Sequence, residues 1–185
     1  GGAAICGAML WYPDEIIQHA GIVTGLGGYA GHSHKYKKKG GSGYLFRTST
    51  VQDFSGVTGA CLLVKTAVYD EMHGLDEQFA VAFNDVDFCL RVRDAGYRIA
   101  WTPYAELIHY ESKSRGGDEK DPVKAARFAA EQQRLYTIHG KENILDDPYY
   151  NPNLTRDRED FSESDDLRRL KEGRVTVRFR GGTLQ

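Results

Sequence analysis

The sequence from residue 79 to residue 115 reads FAVAFNDVDFCLRVRDAGYRIAWTPYAELIHYESKSR, and the interpretation of the chain depends on it. It places Asp85 and Asp87 at the start of a predicted helix. A strand follows, then His109, then a polar loop. Acidic groups at a helix start and a histidine at a strand end are a combination typical of a reaction site.

The first turn of this helix contains two carboxylates with different surroundings. Asn84 is a good N-cap because its side-chain oxygen can accept a bond from a free amide of the first turn, and the helix dipole then favours both acidic residues. Capping alone would explain them. Asp87 lies four residues before Arg91, so we interpret it as structural. Asp85 has Cys89 at that spacing and no cation, which makes it the better candidate for chemistry.

Two β-rich runs follow the helix. Residues 97–102 end at a proline, and residues 106–110 carry His109 near their end. A lone histidine at a strand end is most often a hydrogen-bonded surface residue. The loop after it offers hydroxyl and guanidinium donors to an anion such as a diphosphate, which favours a functional role. These donors are Ser112, Ser114 and Arg115.

The motifs occur in a fixed order along the chain. They are GAC at 59–61, GLDEQF at 74–79, FNDVDFCLR at 83–91, GYRI at 96–99, PYA at 103–105, and His109-x-x-Ser112-x-Ser114. This order resembles the second half of the family 2 glycosyltransferases of the GT-A fold. It is most similar to the bacterial rhamnosyltransferase-like branch that builds cell-surface polysaccharides of the cell envelope. The resemblance extends from residue 5 to about residue 161.

The resemblance implies an α/β fold with a Rossmann-like mixed sheet. Residues 1–161 would be the C-terminal, acceptor-side half of a glycosyltransferase domain, and residues 162–185 a helix-strand extension. The nucleotide-binding half of the family carries an Asp-x-Asp, and the only one here is at 85–87, within the helix. We therefore expect this chain to be a fragment that is inactive alone.

The resemblance also implies inverting sugar transfer from a UDP-, dTDP- or GDP-sugar to a glycan or lipid-linked glycan. Asp85 would be the general base, and His109 would help to hold Mg²⁺ or Mn²⁺. The family more often has Glu-Asp where Asn84-Asp85 stands here. The expected substrate-binding residues are Thr58, Gly59, Ala60, Asn84, Trp101, Ser112, Ser114 and Arg115.

The composition is that of an ordinary globular protein. Of 185 residues, 41% are hydrophobic and 27% charged, and the net charge of −2 favours neither a nucleic-acid partner nor an anionic membrane surface. We expect no nucleic-acid partner. No apolar run is long enough to span a membrane. The three cysteines form no CxxC pair, which favours free thiols in a reducing compartment. We expect a cytoplasmic protein, associated with the inner face of the membrane.

Other predicted elements flank the central stretch. Residues 5–12 and 16–24 suggest a hairpin, and residues 57–64 a strand interrupted by Gly59. A short helix is expected at 67–73, N-capped by Thr66. A longer helix, used for packing, is expected at 123–139, with Asp121-Pro122 at its start and Gly140 at its end.

Three other patterns favour structure over chemistry. GLGGYA at 25–30 formally matches a dinucleotide fingerprint, but no helix is predicted after it, so we reject that function. The lysines between 35 and 39 suggest a solvated loop, with acceptor or lipid-phosphate contact as the alternative. His32 and His34 form a weak candidate metal pair.

The C-terminal part contributes three expectations. Residues 147–154 resemble a family loop that folds back toward the acceptor side, and a short helix is expected from Ser164 to about residue 172. Residues 174–180 alternate as an amphipathic edge strand that needs a partner surface. We expect that partner to be a second copy, giving a homodimer.

Two other function classes fit the same residues. A non-catalytic module that binds saccharide or protein would be indifferent to metal and to Asp85. A metal-dependent hydrolase would use Asp85, Asp87 and His109 with water, although such sites usually need a denser set of ligands.

Overall fold

A computed structural model describes residues 2–110 and 121–164, and the backbone of 177–179 and 182–184. The strands are β1 Ile5–Trp11, β2 Ile17–His19, β3 Ile22–Thr24, β4 Ala30–His32, β5 Gln52–Asp53, β6 Leu62–Val64, β7 Ile99–Ile108, β8 Val177–Phe179 and β9 Gly182–Leu184. The helices are α1 Thr66–Glu71, α2 Asn84–Asp94, α3 Pro122–His139 and α4 Lys141–Leu145. Both kinds of element share one core, which confirms the predicted α/β class.

The main sheet is mixed and is built around β1. Strand β7 runs parallel to β1 along one edge, and β5 pairs antiparallel with β7 outside it. The other edge of β1 is shared by two short antiparallel strands, β6 beside its first half and β2 beside its end. Since α2 leads directly into the start of β7, the first turn of α2 lies toward the end of the sheet where β1 and β7 finish.

Strand β7 contains an irregularity at the predicted break. Thr102 pairs with Ala8 and Glu106 with Met9, so residues 103–105 are extra residues on β7. Proline has no amide hydrogen and is tolerated at bulges. The two predicted runs therefore form one strand interrupted by a bulge. Beyond the bulge, Glu106 accepts a bond from the Trp11 indole at 2.8 Å and contacts Lys39 at 3.1 Å.

The predicted hairpin is correct for its first half only. Strands β1 and β2 pair as expected, but the returning strand stops at His19. Gly21 then adopts φ 98°, and the chain leaves the sheet to form β3, which pairs with β4. A positive φ of this kind is accessible to glycine without steric cost. Strand β4 begins at Ala30, the last residue of the GLGGYA segment. A dinucleotide-binding fingerprint needs a helix at this position, so the structure agrees with the rejection of that function.

Helices α1, α2 and α3 lie where the sequence predicts them, whereas α4 was not predicted and two of the predicted caps are wrong. Asp121 accepts the amide of Val123 at 2.9 Å, and α3 ends before Gly140, as predicted. Helix α2 is preceded by Phe83 at φ 62°, with no side-chain cap, and Asn84 is its first helical residue. Helix α1 likewise begins at Thr66 without a side-chain cap.

The strand predicted at 57–64 is much shorter. Only Leu62–Val64 pair, as β6, and residues 57–61 form a loop between β5 and β6. Val57 packs in the core without strand pairing, whereas Gly59 and Ala60 are exposed. Burial and strand formation are thus separate properties here.

Trp101 belongs to the core and not to a binding surface. It is 0% exposed, its indole nitrogen donates to the carbonyl of Ala8 at 3.1 Å, and its ring meets Phe54 edge-on. A tryptophan on the central strand pair is the largest side chain available to fill the core. The prediction that Trp101 binds substrate is therefore corrected to a packing role.

A buried ionic cluster, which we call the α2–α3 clamp, joins the two long helices. It consists of Asp87, Arg91 and His139. Asp87 is 1% exposed, and its two carboxylate oxygens contact Arg91 at 2.8 Å and His139 Nε2 at 2.8 Å. Arg91 also donates to the carbonyls of Met72 and Gly74, at 2.6 and 2.9 Å. The structural interpretation of Asp87 agrees with this geometry.

The C-terminal strand has a partner within the chain. Strands β8 and β9 form an antiparallel hairpin, in which Val177 pairs with Leu184. One edge of the predicted amphipathic strand is thus covered by its own chain, so a second copy is not needed there. A short helix was expected from Ser164 to about residue 172, and everything after Ser164 in that range lies outside the described residues.

No helix in the described ranges combines the length and the apolar character needed to cross a membrane.

Candidate active site

A cleft of about 910 Å³ opens beside the first turn of α2. One wall comes from residues 22–36, around β3 and β4, and the opposite wall from residues 81–86. Helix α3 contributes Phe128 and Gln132, and residues 157–160 close a further side. Asp85 and Asn84 both line this cleft, so the strongest sequence candidate lies at a concave surface.

Asp85 is held by two backbone amides. The Gly59 amide donates to one carboxylate oxygen at 2.8 Å, and the Val86 amide donates to the other at 2.8 Å. Each carboxylate oxygen has a second lone pair, so Asp85 keeps the capacity to accept a further proton. The half-buried side chain is oriented by these bonds at the rim of the cleft.

The loop at 58–60 supports Asp85 through its backbone. Gly59 is exposed, and a Cβ added there would meet Asp85 at 3.4 Å, an ordinary contact. The hydroxyl of Thr58, which is 8% exposed, accepts the amide of Ala60 at 3.3 Å. Of these three predicted residues, the structure brings Gly59 into direct contact with Asp85.

Asn84 turns its side chain to its own helix. Its amide oxygen accepts the backbone N–H of Asp85 at 2.7 Å. This bond satisfies one of the free amides of the first turn, so the side chain works as a local cap from inside the helix. The neutral amide also adds no negative charge beside Asp85.

Two histidines meet beneath the cleft. His19 ends β2 and is 0% exposed, and its Nδ1 lies 2.8 Å from Nδ1 of His32 on β4. Thr58 and Gly21 donate their backbone amides to Nε2 of His19, at 3.4 and 3.3 Å. The sequence suggested that His32 pairs with His34. In the structure its ring contacts His19 instead, because the end of β2 lies beside β4.

His34 is a structural residue. It is 0% exposed, stacks on Phe161 at 4.2 Å, and accepts the amide of Tyr44 at 3.0 Å through Nε2. Burial, with the charges of Lys37 and Arg47, lowers the pKa of His34 to about 3. The ring is neutral at physiological pH and serves packing.

An aromatic cluster extends along the cleft from β4 to α3. Tyr29 packs against Phe83 and Tyr136, with ring centroids 6.3 and 5.0 Å apart, and Phe83 lies 5.2 Å from Phe128. The hydroxyl of Tyr136 donates to the carbonyl of Gly28. Tyr29, Phe83 and Phe128 line the cleft, where flat rings can contact the C–H face of a sugar.

The charges that line the cleft are mainly negative. The acidic residues are Asp85, Asp157, Glu159 and Asp160, and the basic ones are Lys35 and Arg158. Glu159 secures this wall, because its carboxylate accepts the amide of His32 at 2.8 Å and its carbonyl accepts that of His34 at 3.1 Å. Carboxylates suit hydroxyl groups, so this side of the cleft fits a sugar better than a diphosphate.

His109 lies at the end of β7, apart from the residues that line the cleft. Its amide donates to the carbonyl of Trp11 at 2.9 Å, and within the described ranges its buried Nδ1 has no hydrogen-bond partner. Ser112, Ser114 and Arg115 lie outside the described residues. Among 2–110 and 121–164, no group of three or more His, Cys, Asp or Glu side chains could hold a metal ion.

The remaining sequence features are mostly structural. Cys89 is buried with its pKa raised by burial to about 12, and Cys6 and Cys61 are half-buried free thiols. Lys39 lies over the Trp11 ring, and Lys35 reaches the cleft lining. The loop at 147–154 does fold back, since Asp147 accepts the amide of Thr24 at 2.7 Å.

Sequence reasoning missed three contributors to the site: His19, Glu131 and Glu159. Glu131 on α3 is 4% exposed and accepts the amides of Val81 and Ala82, at 3.1 and 2.9 Å, which fixes the cleft wall at 81–82. The only available signal was an acidic residue on the apolar stripe of a helix. A buried charge of that kind needs partners, and these partners lie far away in sequence.

Three of the relatives found by comparison with known proteins show what the chain is similar to. The chain is 48% identical over 161 residues to the uncharacterized protein y4gI of Sinorhizobium fredii, covering 86% of this chain and 18% of that protein. It is 34% identical over 150 residues to the O-antigen biosynthesis protein RfbC of Myxococcus xanthus, covering 80% and 11%. It is 32% identical over 80 residues to an N-acetylglucosaminyl-diphospho-decaprenol L-rhamnosyltransferase of Mycobacterium tuberculosis, covering 43% and 24%.

No family model matches the chain, and no solved structure matches it. The chain spans between 11% and 24% of the length of these relatives. Two of the three carry names from polysaccharide biosynthesis or sugar transfer, and the mixed α/β sheet is compatible with a glycosyltransferase domain. Relatives and architecture together support a general relationship to the glycosyltransferases.

Proposed function

We propose that this chain forms the acceptor side of an inverting glycosyltransferase active in bacterial cell-surface polysaccharide synthesis, with Asp85 as its general base. The observation that carries the proposal is the position of Asp85, which two backbone amides fix at the rim of a cleft lined by aromatic and acidic residues. The relatives named for O-antigen biosynthesis and rhamnosyl transfer support the reaction class.

The reaction requires three things of this surface. The acceptor hydroxyl must lie within hydrogen-bond distance of Asp85, which takes its proton as the oxygen attacks the anomeric carbon. The aromatic cluster must hold the acceptor ring so that attack is oriented. The bonds from Gly59 and Val86 must keep the carboxylate pointing into the cleft, at some cost in basicity.

The donor would be a UDP-, dTDP- or GDP-sugar and the acceptor a glycan or lipid-linked glycan. We infer that the nucleotide is held by a segment that these 185 residues do not include, in keeping with the GT-A architecture. A divalent ion, Mg²⁺ or Mn²⁺, would neutralise the departing diphosphate. His109 is the ligand that the family resemblance suggests, and its buried Nδ1 has no hydrogen-bond partner among the described residues.

The test is a transfer assay on the polypeptide that carries these residues, with nucleotide sugars and glycan acceptors. Asp85→Asn should lower kcat about 10²- to 10⁴-fold, because the general base is removed while the side-chain shape is kept. The KM for the donor should change little. Asp94→Asn is the matched control, since Asp94 lies on the same helix, is exposed and forms a long ion pair of 3.5 Å with its neighbour Arg93. Full turnover of the Asp85→Asn variant would refute the assignment.

A saccharide-binding module without catalysis is the second candidate, and the aromatic cluster favours it equally. It predicts binding of glycans by both the unmodified protein and Asp85→Asn, with no transfer by either. Sugar transfer by the unmodified protein, together with its loss in Asp85→Asn, would favour the transferase over the binding module.

A further inference from the structure

The segment at 35–47, which we call the basic loop, concentrates positive charge on one part of the surface. It reads KYKKKGGSGYLFR and contains four lysines, one arginine and no acidic residue, whereas the whole chain has a net charge of −2. Lys37 and Lys38 are exposed. Lys39 is already engaged by Glu106, at 3.1 Å. The charge that the loop offers to a partner therefore comes mainly from Lys37 and Lys38.

The same loop exposes three large side chains with apolar surface. Tyr36, Leu45 and Phe46 are 66%, 74% and 66% exposed. Single exposed apolar residues are ordinary on a protein surface, whereas several of them in one short segment beside lysines indicate a binding surface. The ring of Tyr36 stacks on Tyr12, with centroids 6.0 Å apart, so Leu45 and Phe46 are the better candidates for contact with a partner.

The backbone presents these side chains in a conformation that costs free energy. The φ angles of Tyr36, Leu45 and Phe46 are 67°, 46° and 61°, in the left-handed region that bulky residues rarely adopt. Such strain is typical of functional segments that the surrounding structure holds in place. Burial does not offset the cost here, because the three side chains are exposed.

The lysine half and the apolar half of the basic loop are anchored to the same residue, His34. The amide of Lys37 donates to the His34 carbonyl at 3.1 Å, and the amide of Tyr44 donates to the His34 ring at 3.0 Å. The apolar half is closed by Thr48, whose amide donates to the carbonyl of Ser42 at 3.1 Å. The two halves are therefore neighbours on the surface.

The basic loop adjoins the candidate active site. Lys35 and Tyr36 belong to the lining of the cleft, and Lys39 lies over the ring of Trp11, 5.0 Å from its centroid. A molecule that is anchored in a surface bound to this loop would thus be within reach of the cleft.

We propose that the basic loop docks on a lipid bilayer that contains anionic phospholipids, with Lys37 and Lys38 at the headgroups and Leu45 and Phe46 inserted between them. Charge complementarity selects this partner, because lysines are attracted to an anionic bilayer while apolar side chains add to the binding by leaving water at the interface. A soluble polyanion would satisfy the lysines but would leave Leu45 and Phe46 in water. The docking surface does not depend on the proposed transferase activity.

The first experiment is vesicle flotation with the polypeptide that carries these residues. The vesicles contain phosphatidylcholine alone, or phosphatidylcholine and phosphatidylglycerol in equal parts. The protein should bind the anionic vesicles only, and the binding should weaken as the ionic strength rises, because salt screens exposed charges. Equal binding to both kinds of vesicle, or binding to neither, would overturn the proposal.

The charge contribution is measured with the double variant Lys37→Gln/Lys38→Gln. Its affinity for anionic vesicles should fall roughly 10- to 30-fold, since each lysine near such a surface contributes about fivefold. The double variant Lys65→Gln/Lys141→Gln is the matched control, because it removes the same charge at two exposed positions outside the loop. Equal weakening in both double variants would mean that net charge alone is responsible and would refute the docking surface.

The apolar contribution is measured with Leu45→Asn/Phe46→Asn. Asparagine tolerates the left-handed conformation, so the loop should keep its shape while vesicle affinity falls roughly tenfold or more. The control is Leu63→Asn/Val123→Asn, at positions that are 74% and 78% exposed. The control should bind like the unmodified protein, and a loss of the same size in both would contradict insertion of Leu45 and Phe46.

Insertion is distinguished from simple charge attraction by Phe46→Trp, read as the change in tryptophan emission relative to the unmodified protein. The emission should shift to shorter wavelength with anionic vesicles and not with heparin, a soluble polyanion. A shift of the same size with heparin, or no shift with the vesicles, would overturn the proposal. Vesicle binding without sugar transfer would refute only the proposed function, and transfer to a soluble glycan without vesicle binding would refute only the docking surface.

Discussion

Asp85 and Asp87 lie two residues apart on α2, and the two regions to which they belong use a carboxylate in opposite ways. In the α2–α3 clamp, Asp87 is 1% exposed and contacts two basic side chains. At the cleft rim, the Asp85 carboxylate is half-buried and accepts hydrogen bonds from the backbone amides of Gly59 and Val86. The same chemical group is structural in one place and accessible in the other.

The comparison shows that the contacts of an aspartate, and not its residue type, decide whether it is structural or accessible to a ligand. Asp87 neutralises Arg91 and contacts His139, so its removal would leave the partly buried Arg91 guanidinium without its counter-charge. The bonds to Asp85 come from amides that carry no net charge, and they orient the group without engaging all of its lone pairs. Four experiments test this contrast.

The largest effect on stability is expected at the clamp. Asp87→Ala should lower the free energy of unfolding by about 3–5 kcal/mol, because Arg91 is left as an unpaired, partly buried charge. Urea denaturation measures the change. Asp94→Ala on the same helix, where the side chain is exposed, should stay within about 0.5 kcal/mol. Equal losses for the two variants would show that the clamp has no special weight.

The second experiment tests how the stability of the protein depends on pH through the buried His34. The pKa of His34 is about 3 in the folded state and about 6.5 when unfolded, so the unfolded state binds more protons between these values. The contribution of the neutral His34 to the free energy of unfolding is therefore fully present above about pH 6.5. It falls as the pH drops below that value, by up to about 1.4 kcal/mol per pH unit. Unfolding midpoints at pH 7.5 and pH 5 measure this loss.

His34→Gln is the control for the acid experiment. Glutamine can accept the Tyr44 amide and does not titrate, so the variant should lose less stability than the unmodified protein over the same interval. Identical pH dependence in both would mean that His34 is not the group responsible.

Glu131 connects the two regions, because it lies on α3 and holds the cleft wall at 81–82. Glu131→Ala leaves two partly buried amides without acceptors and should cost about 1–3 kcal/mol. Hydrogen exchange at Val81 and Ala82 should accelerate. Gln133→Ala, at an exposed position on the same helix, should leave both amides protected. Unchanged exchange in Glu131→Ala would contradict the role of this carboxylate.

The smallest effect is expected at Gly59. Gly59→Ala keeps the amide that binds Asp85, and the added Cβ meets only ordinary contacts, so stability should change by no more than about 0.5 kcal/mol. Gly59→Pro removes the donor and should lower transfer far more than it lowers the unfolding midpoint. If the alanine and proline variants retain equal turnover, the amide does not orient Asp85.

Sequence signals were sufficient where the determinants are local. The start and end of α3 follow from Asp121, Pro122 and Gly140, and the pairing of Asp87 with Arg91 follows from one helical turn. They failed where local and tertiary preferences compete. The run at 57–64 looks like a strand because it is apolar, yet the chain buries Val57 in a loop so that the Gly59 amide reaches Asp85.

The candidate site was only partly accessible to the same reasoning. Its acidic residue could be identified because helix starts have a recognisable pattern, but the contact of His19 with His32 depends on how β2 and β4 meet after the turn at Gly21. Glu131 lies 50 residues from Val81. Long-range partners of polar groups are not encoded in any short window. Trp101 was misassigned for the related reason that an aromatic residue near a motif can serve packing alone.

The bulge at 103–105 in β7 has a consequence for how the chain tolerates change. Side chains alternate between the two faces of a strand, so an insertion of an odd number of residues exchanges the faces for everything that follows. The buried half of β7 at 99–101 and its exposed half at 104–108 are therefore arranged on the sheet separately. The face of Glu106 follows from its pairing with Met9, so the bulge can change in length without moving Glu106 away from Trp11 as long as that pairing is kept.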